Sequence, residues 1–330
     1  MIVIVSVGNG FAHCYGAMQT QQRKRIDMTS KKKKSKRNRS EKLFFWLLVA
    51  LPLLQFAVFY IGVNFNSILL AFKSYNATDG TQTWVWFDNF VSVWNELVDG
   101  TLLIRLGNSV LVWLLTTVLG TVIAVVFSYY IFKKRFAHKT FKFMLFLPTV
   151  LPAVLLTTVF VFFAQVAWPP IAKLFTGEES ALLYSDATRM PAVMLYTLFI
   201  GLGTQVLLYS GSMEQIDPSM LEAAKIDGAP PIVEFTKIVV PQILGTISTF
   251  LIAGIATIFT NQAHIYEFYG VGVSDARFTT IGYYLFRLVN IPNLGNYYYP
   301  YAAALGLCCT LVALPLTLLA KKGLDKLVGD

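Results

Sequence analysis

Five carboxylates crowd one short stretch of an otherwise apolar chain: Glu214, Asp217, Glu222, Asp227 and Glu234 face only Lys225 and Lys237 between residues 214 and 237. Carboxylates grouped this way offer charge-assisted hydrogen bonds to an arginine or lysine on a partner. The local signals predict a helix over 218–227. Asp217 can accept from the unpaired amides as N-cap, Pro218 suits the first helical position, and Gly228 can take the left-handed conformation after the last turn. A helix of about three turns at most is unstable alone, so it must be held by its neighbours. Met220, Leu221, Ala224 and Ala223 give it an apolar side, with Glu222 and Lys225 on another. Pro230-Pro231 then forces a change of direction before a helix that reaches Pro241.

Catalytic chemistry has no comparable foothold. No G-x-x-x-x-G-K-[ST] loop cradles phosphate, and neither H-E-x-x-H nor a nucleophile elbow occurs. His13, His138 and His264 are scattered, and Cys14 with the adjacent Cys308 and Cys309 fits neither a disulfide framework nor a zinc site. The chain is therefore not expected to be an enzyme, and energy for any work must come from a partner docked at the acidic loop.

The elements that position this loop are membrane spans. Of 330 residues, 55% are hydrophobic and 14% charged, too few charges for an ordinary cytosolic domain. The net charge of +9 comes from the first 42 residues, whose basic side chains include the run Lys31–Lys34, Lys36, Arg37 and Arg39. Residues 1–42 are read as a disordered basic tail that anchors topology on anionic lipid rather than on nucleic acid. Met1, Met18 or Met28 could each be the initiator. Six stretches free of Asp, Glu, Lys and Arg follow, each long enough to cross a bilayer. The helices are expected near 43–66, 108–132, 143–166, 190–210, 240–262 and 299–320. Lysine and arginine cluster in the tail, in the loop after the second span and at the end, which predicts cytoplasmic N- and C-termini. An amphipathic helix is expected between the capping pair Asp88-Asn89 and Gly100, with Phe90, Trp94, Leu97 and Val98 on one side and Trp84 and Trp86 as interfacial anchors.

The spacing Glu222-Ala223-Ala224, three residues, Gly228, nine residues, Ile238, one residue, Val240-Pro241 resembles the EAA loop of permease subunits in binding-protein-dependent ABC importers. Phe87-Asp88-Asn89-Phe90, Gly107-Asn108-Ser109, the paired prolines Pro148 and Pro152, Thr279-Thr280 and Tyr301-Ala302-Ala303-Ala304 are similar to further elements of the carbohydrate-importing members. Where those usually carry a G-G-P turn, this chain reads Gly270-Val271-Gly272-Val273. The resemblance covers about residues 43–320. It implies an all-α, six-span permease of the MetI-like type, in which domain 43–330 carries the coupling loop 214–240. In a bacterial inner membrane it would form half of a pore for a sugar or oligosaccharide. It implies a second homologous permease, two ATPase subunits that bind ATP and Mg, and an extracytoplasmic solute-binding protein, with no cofactor in this chain.

Glu222, Ala223, Ala224, Asp227, Gly228 and Pro241 would form the ATPase contact. Polar side chains at bilayer depth are costly and often line a pathway. Asn261, Gln262 and Gln205, followed by Tyr196, are the candidates, with Asn261 placed by resemblance in a cavity-lining region and interhelical hydrogen bonding the competing use. The alternative is an importer of the same type for another polar solute such as a polyamine or glycerol phosphate, or a membrane-embedded enzyme or scaffold.

Overall fold

The computed structural model describes residues 39–76, 80–177, 180–292 and 297–328. Most of the basic tail, with all three initiator candidates, lies outside the described residues; its last residues already belong to a helix that starts at Arg39. Among the described residues, five helices are long and apolar enough to cross a membrane: α1 Leu43–Leu70, α3 Thr101–Phe132, α5 Ala153–Phe175, α6 Arg189–Met213 and Tyr299–Lys326, the body of α12. A bent pair, α8 Pro231–Gln242 and α9 Leu244–Ala256, makes a sixth span if counted as one. Between them lie a hairpin, β1 Lys73–Tyr75 with β2 Gln82–Trp84, and the helices α2 Asp88–Val98, α4 His138–Val150, α7 Pro218–Ile226, α10 Ile265–Tyr269 and α11 Ile281–Asn290. The chain divides into two compact units, residues up to Phe65 and Asn66–Asp330. The packing that positions the sites lies within the second.

Two expected spans take different bounds. The third, read as one helix over 143–166, is broken at Leu151, whose ψ of 145° is extended. The ring of Pro152 disfavours helical geometry at the residue before it, so α4 stops at Val150 and α5 starts afresh at Ala153. The fifth, read over 240–262, starts with a 65° bend and stops at Ala256. Pro241 has no amide to donate, and the chain turns two residues later at Ile243, where φ is −98° and ψ 7°. Asn261 and Gln262 therefore stand in irregular chain beyond the helix end.

Three buried clusters hold the second unit. Ala124 and Val125 of α3, Leu202, Val206, Tyr209 and Met213 of α6, and Val239 and Ile243 at the bend form the one nearest the acidic loop. Toward the opposite end, Val112, Met190, Val193 and Ile265 pack with Tyr283. Val93, Leu102, Phe259, Ile281, Ala304 and Leu305 form the third. Only Phe90 and Leu97 of the predicted α2 stripe turn into that cluster; Trp94 and Val98 face outward. Asn89 does not cap α2. Phe87 precedes the helix, and the Asn89 amide donates to the carbonyls of Ala71 at 2.9 Å and Lys73 at 2.7 Å, pinning the hairpin to α2.

α6 crosses α4 at backbone contact. A Cβ on Gly203 would lie 2.3 Å from the Leu145 carbonyl oxygen and 2.8 Å from the Thr149 methyl, so only glycine fits. Gly203→Ala is expected to force these helices apart at about 1–3 kcal/mol. The check is a lowered midpoint of thermal unfolding for the variant in detergent, with Gly211→Ala, where a Cβ meets open space, as the unchanged control.

Candidate functional site

The acidic loop folds as its sequence dictates. Asp217 Oδ1 accepts from the Ser219 amide at 2.9 Å, and this bond holds its carboxyl below the usual range. Pro218 opens α7 without an amide to orphan. At the other end Gly228 takes φ +67°, its amide donates to the Lys225 carbonyl at 3.2 Å, and the Ala229 amide reaches the Ala224 carbonyl at 2.9 Å. That pair of bonds is the Schellman closure, which needs a residue free to be left-handed.

Burial sorts the loop's side chains. Ala224 is buried against its own chain and Leu221 packs on the cluster around Tyr209 and Val239. Glu222, Ala223, Ile226 and Asp227 are exposed, Ile226 at 86%. Of the two alanines expected to meet a partner, Ala223 is therefore presented and Ala224 lets the helix sit close to its support. Met220 is also exposed rather than packed. Pro241 stands at the bend.

What carries the loop is an ion pair that its charge pattern does not single out. Glu234, only 4% exposed, receives the Lys133 ammonium on both oxygens, at 2.8 and 2.9 Å. Tyr129 adds its hydroxyl, donating to the Pro231 carbonyl at 3.1 Å and reaching Glu234 at 3.4 Å, and its ring lies 4.8 Å from that of Phe235. Lys133 follows α3, so the chain leaving α7 is tied to the end of the second span. Sequence reading placed Glu234 with the exposed acids and Lys133 with the topology charges. Neither assignment could reveal a pair separated by 101 residues.

The pathway candidates do not share one environment. Tyr196 is 5% exposed, bonded through its hydroxyl to Thr157 at 3.1 Å and ringed by Phe160, Phe268 and His264. Gln205 donates to the Thr116 carbonyl at 3.5 Å, while its buried Oε1 has no hydrogen-bond partner among the described residues. Asn261 accepts from the Ala263 amide at 2.9 Å and offers its carbonyl to Thr280 Oγ1 at 2.9 Å. Gln262 is half-buried beside it. Thr280 also caps α11 through the Tyr283 amide, which fixes the turn that carries Asn261. At the departure from G-G-P, Gly270 and Val271 offer their carbonyls to Tyr283 and Arg287 at 2.8 and 3.0 Å.

Removing one partner of a buried pair strands the other, and Lys133 keeps 21% of its side chain exposed. Glu234→Ala should therefore cost about 2–3 kcal/mol, less than the 3–5 typical of a fully buried pair. Lys133→Glu and Glu234→Lys should each cost at least as much, and the double exchange Lys133→Glu with Glu234→Lys should restore part of the loss, so the wild type, these two single variants and the double exchange form the cycle. Denaturation midpoints of the four proteins in detergent decide it; additive losses in the double variant would refute a direct pair.

Comparison with known proteins fits this architecture. Polygalacturonan/rhamnogalacturonan transport system permease protein YteP of Bacillus subtilis is 23% identical over 311 residues, covering 90% of this chain and 94% of that protein. Multiple sugar-binding transport system permease protein MsmF of Streptococcus mutans is 20% identical over 273 residues, covering 82% and 91%. Among solved structures, a bacterial alginate ABC transporter in complex with an alginate pentasaccharide-bound periplasmic protein contains a chain that superposes with a TM-score of 0.72 at 19% identity, over 89% of this chain and 99% of that one. Residues 116–323, more than half of the sequence and inclusive of α7, α8 and the turn with Asn261, match the family described as binding-protein-dependent transport system inner membrane component, and the chain belongs to that family.

Proposed function

We propose that this subunit forms half of the translocation pore of an ABC importer for a saccharide, driven through α7 by a separate ATPase. The carrying observation is that α7 is held by Ala224 and Leu221 on one side while Glu222 and Ala223 stand free on the other. Glu222 would pair with a basic side chain of the ATPase, Ala223 would admit close approach, and Gly228 would hold the turn through which force passes. Lys133–Glu234 would pass that force to α3. The face that carries α7 would be cytoplasmic, as the basic residues of the loop after α3 indicate. The partners would be a second permease of the same family, two ATPase subunits carrying ATP and Mg, and an external solute-binding protein.

The saccharide class is supported by the names of the relatives and by the chemistry of the candidate route. Gln205, Asn261 and Gln262 offer uncharged donors and acceptors, as hydroxyl-rich solutes require. Nucleotide-driven closure would shift the spans between two arrangements, one open to each side.

Glu222→Lys places like charge against the expected basic partner at a fully accessible position. Uptake of radiolabelled oligosaccharide by cells or proteoliposomes carrying the whole complex should fall to background, with the variant still present in the membrane fraction. Wild-type uptake by a well-expressed Glu222→Lys complex would overturn the docking role.

A further inference from the structure

On the face opposite the acidic α7–α8 hairpin, β1, α2, α11 and the start of α12 line an open cavity of about 330 Å³. This lies at the small end of the range for small-molecule sites. Its floor is a closed ionic network. Glu96 takes Arg105 Nη1 on one oxygen and the hydroxyls of Tyr284, at 3.2 Å, and Tyr301 on the other. Arg105 Nε and Nη2 donate to Thr279 Oγ1 and the Ser274 carbonyl, both at 3.3 Å, and the guanidinium lies 3.8 Å over the Tyr284 ring. Carboxylate and guanidinium cancel, so the cavity holds no uncompensated charge for an ionic ligand. Burial, with Glu96 beside it, pushes the Tyr284 phenol up to about 12, so the hydroxyl stays a donor to that carboxylate.

Counting hydrogen bonds then says what the walls can offer. Asn89 spends its amide on Ala71 and Lys73, and Ser92 donates to the Asp88 carbonyl at 3.0 Å. Tyr284 and Tyr301 spend their protons on Glu96. What remains toward the cavity are the acceptors Asn89 Oδ1, Ser92 Oγ and the lone pairs of the Tyr284 and Tyr301 phenols, together with the hydroxyls of Ser74, Tyr297 and Tyr298, which can donate or accept. At the rim, the rings of Tyr297 and Tyr298 meet at 5.0 Å and 82°, an aromatic corner with Tyr297 half exposed. A neutral ligand rich in hydroxyl donors, with an apolar ring face, matches both halves.

We propose that this cavity is an accessory subsite for one uncharged sugar residue, separate from the route through the spans. The sugar's hydroxyls would donate to Asn89, Ser92, Tyr284 and Tyr301, and its C–H face would rest on the Tyr297–Tyr298 corner. The subsite shares its saccharide class with the transport reading, but it needs neither the hairpin nor ATP.

The complete importer in lipid nanodiscs, without nucleotide, is titrated with maltotriose, with digalacturonate and putrescine as charged probes, by calorimetry and saturation-transfer NMR. Maltotriose should bind, and the double variant Tyr297→Ala with Tyr298→Ala should weaken it about tenfold. Phenylalanine at both positions should restore binding, since the ring and not the hydroxyl makes the corner. Unchanged affinity on removing both rings, no maltotriose binding, or binding of a charged probe alone would overturn the subsite. Oligosaccharide uptake with this cavity silent sinks only the subsite. Maltotriose held here by an importer that takes up no saccharide sinks only the transport reading.

Discussion

A backbone carbonyl that leaves a helix within a bilayer must find a donor inside the protein, and this requirement organises the second unit. The chain from Asp275 to Thr280 makes only a single 3-10 turn, Ala276–Phe278, yet the carbonyls of Asp275, Ala276, Arg277, Thr279 and Thr280 all find donors. The Asn108 side-chain amide on α3 lies within 3.1 Å of the carbonyl oxygens of Ala276, Arg277 and Thr279. Ser109 Oγ, one residue on, receives the Ile281 amide at 2.9 Å, so α11 starts bonded to α3. Thr197 on α6 instead donates its hydroxyl to the Ala263 carbonyl, at 3.0 Å. These polar contacts let three helix ends stop short without stranding peptide groups, and they fix where Asn261 and Gln262 sit.

Much of this was legible in the sequence, and the legible parts share a physical cause. Spans announce themselves because a single charge at mid-depth is costly, so their absence over twenty or more residues is a strong signal. α7 was readable from Asp217, Pro218 and Gly228 because capping is local chemistry. The EAA spacing and the family assignment agree.

What could not be read depended on distant partners or on which side a residue presents. Asn89 has the composition of a cap and instead braces the preceding hairpin. Ala223 and Ala224 are adjacent letters with opposite fates, one exposed and one buried, because a helix turns about 100° between neighbours. Glu96 and Arg105 lie nine residues apart on α2 and α3, and their joint neutrality emerges only when α2, α3 and α11 converge. Tyr196 was legible as a polar group at depth, whereas its hydroxyl bond to Thr157 and its shell of Phe160 and Phe268 come from other helices.

The doubly bonded Glu234 has a mechanical meaning. A loop joined to its span by a few rotatable bonds absorbs displacement, whereas this one is riveted at mid-length to the end of α3 and seated through Leu221 on α6. A displacement of α7 would therefore have little slack to take up before the 65° elbow, and would be passed on to the helices it is tied to. Stiffness, more than any reactive group, is what this stretch of chain contributes.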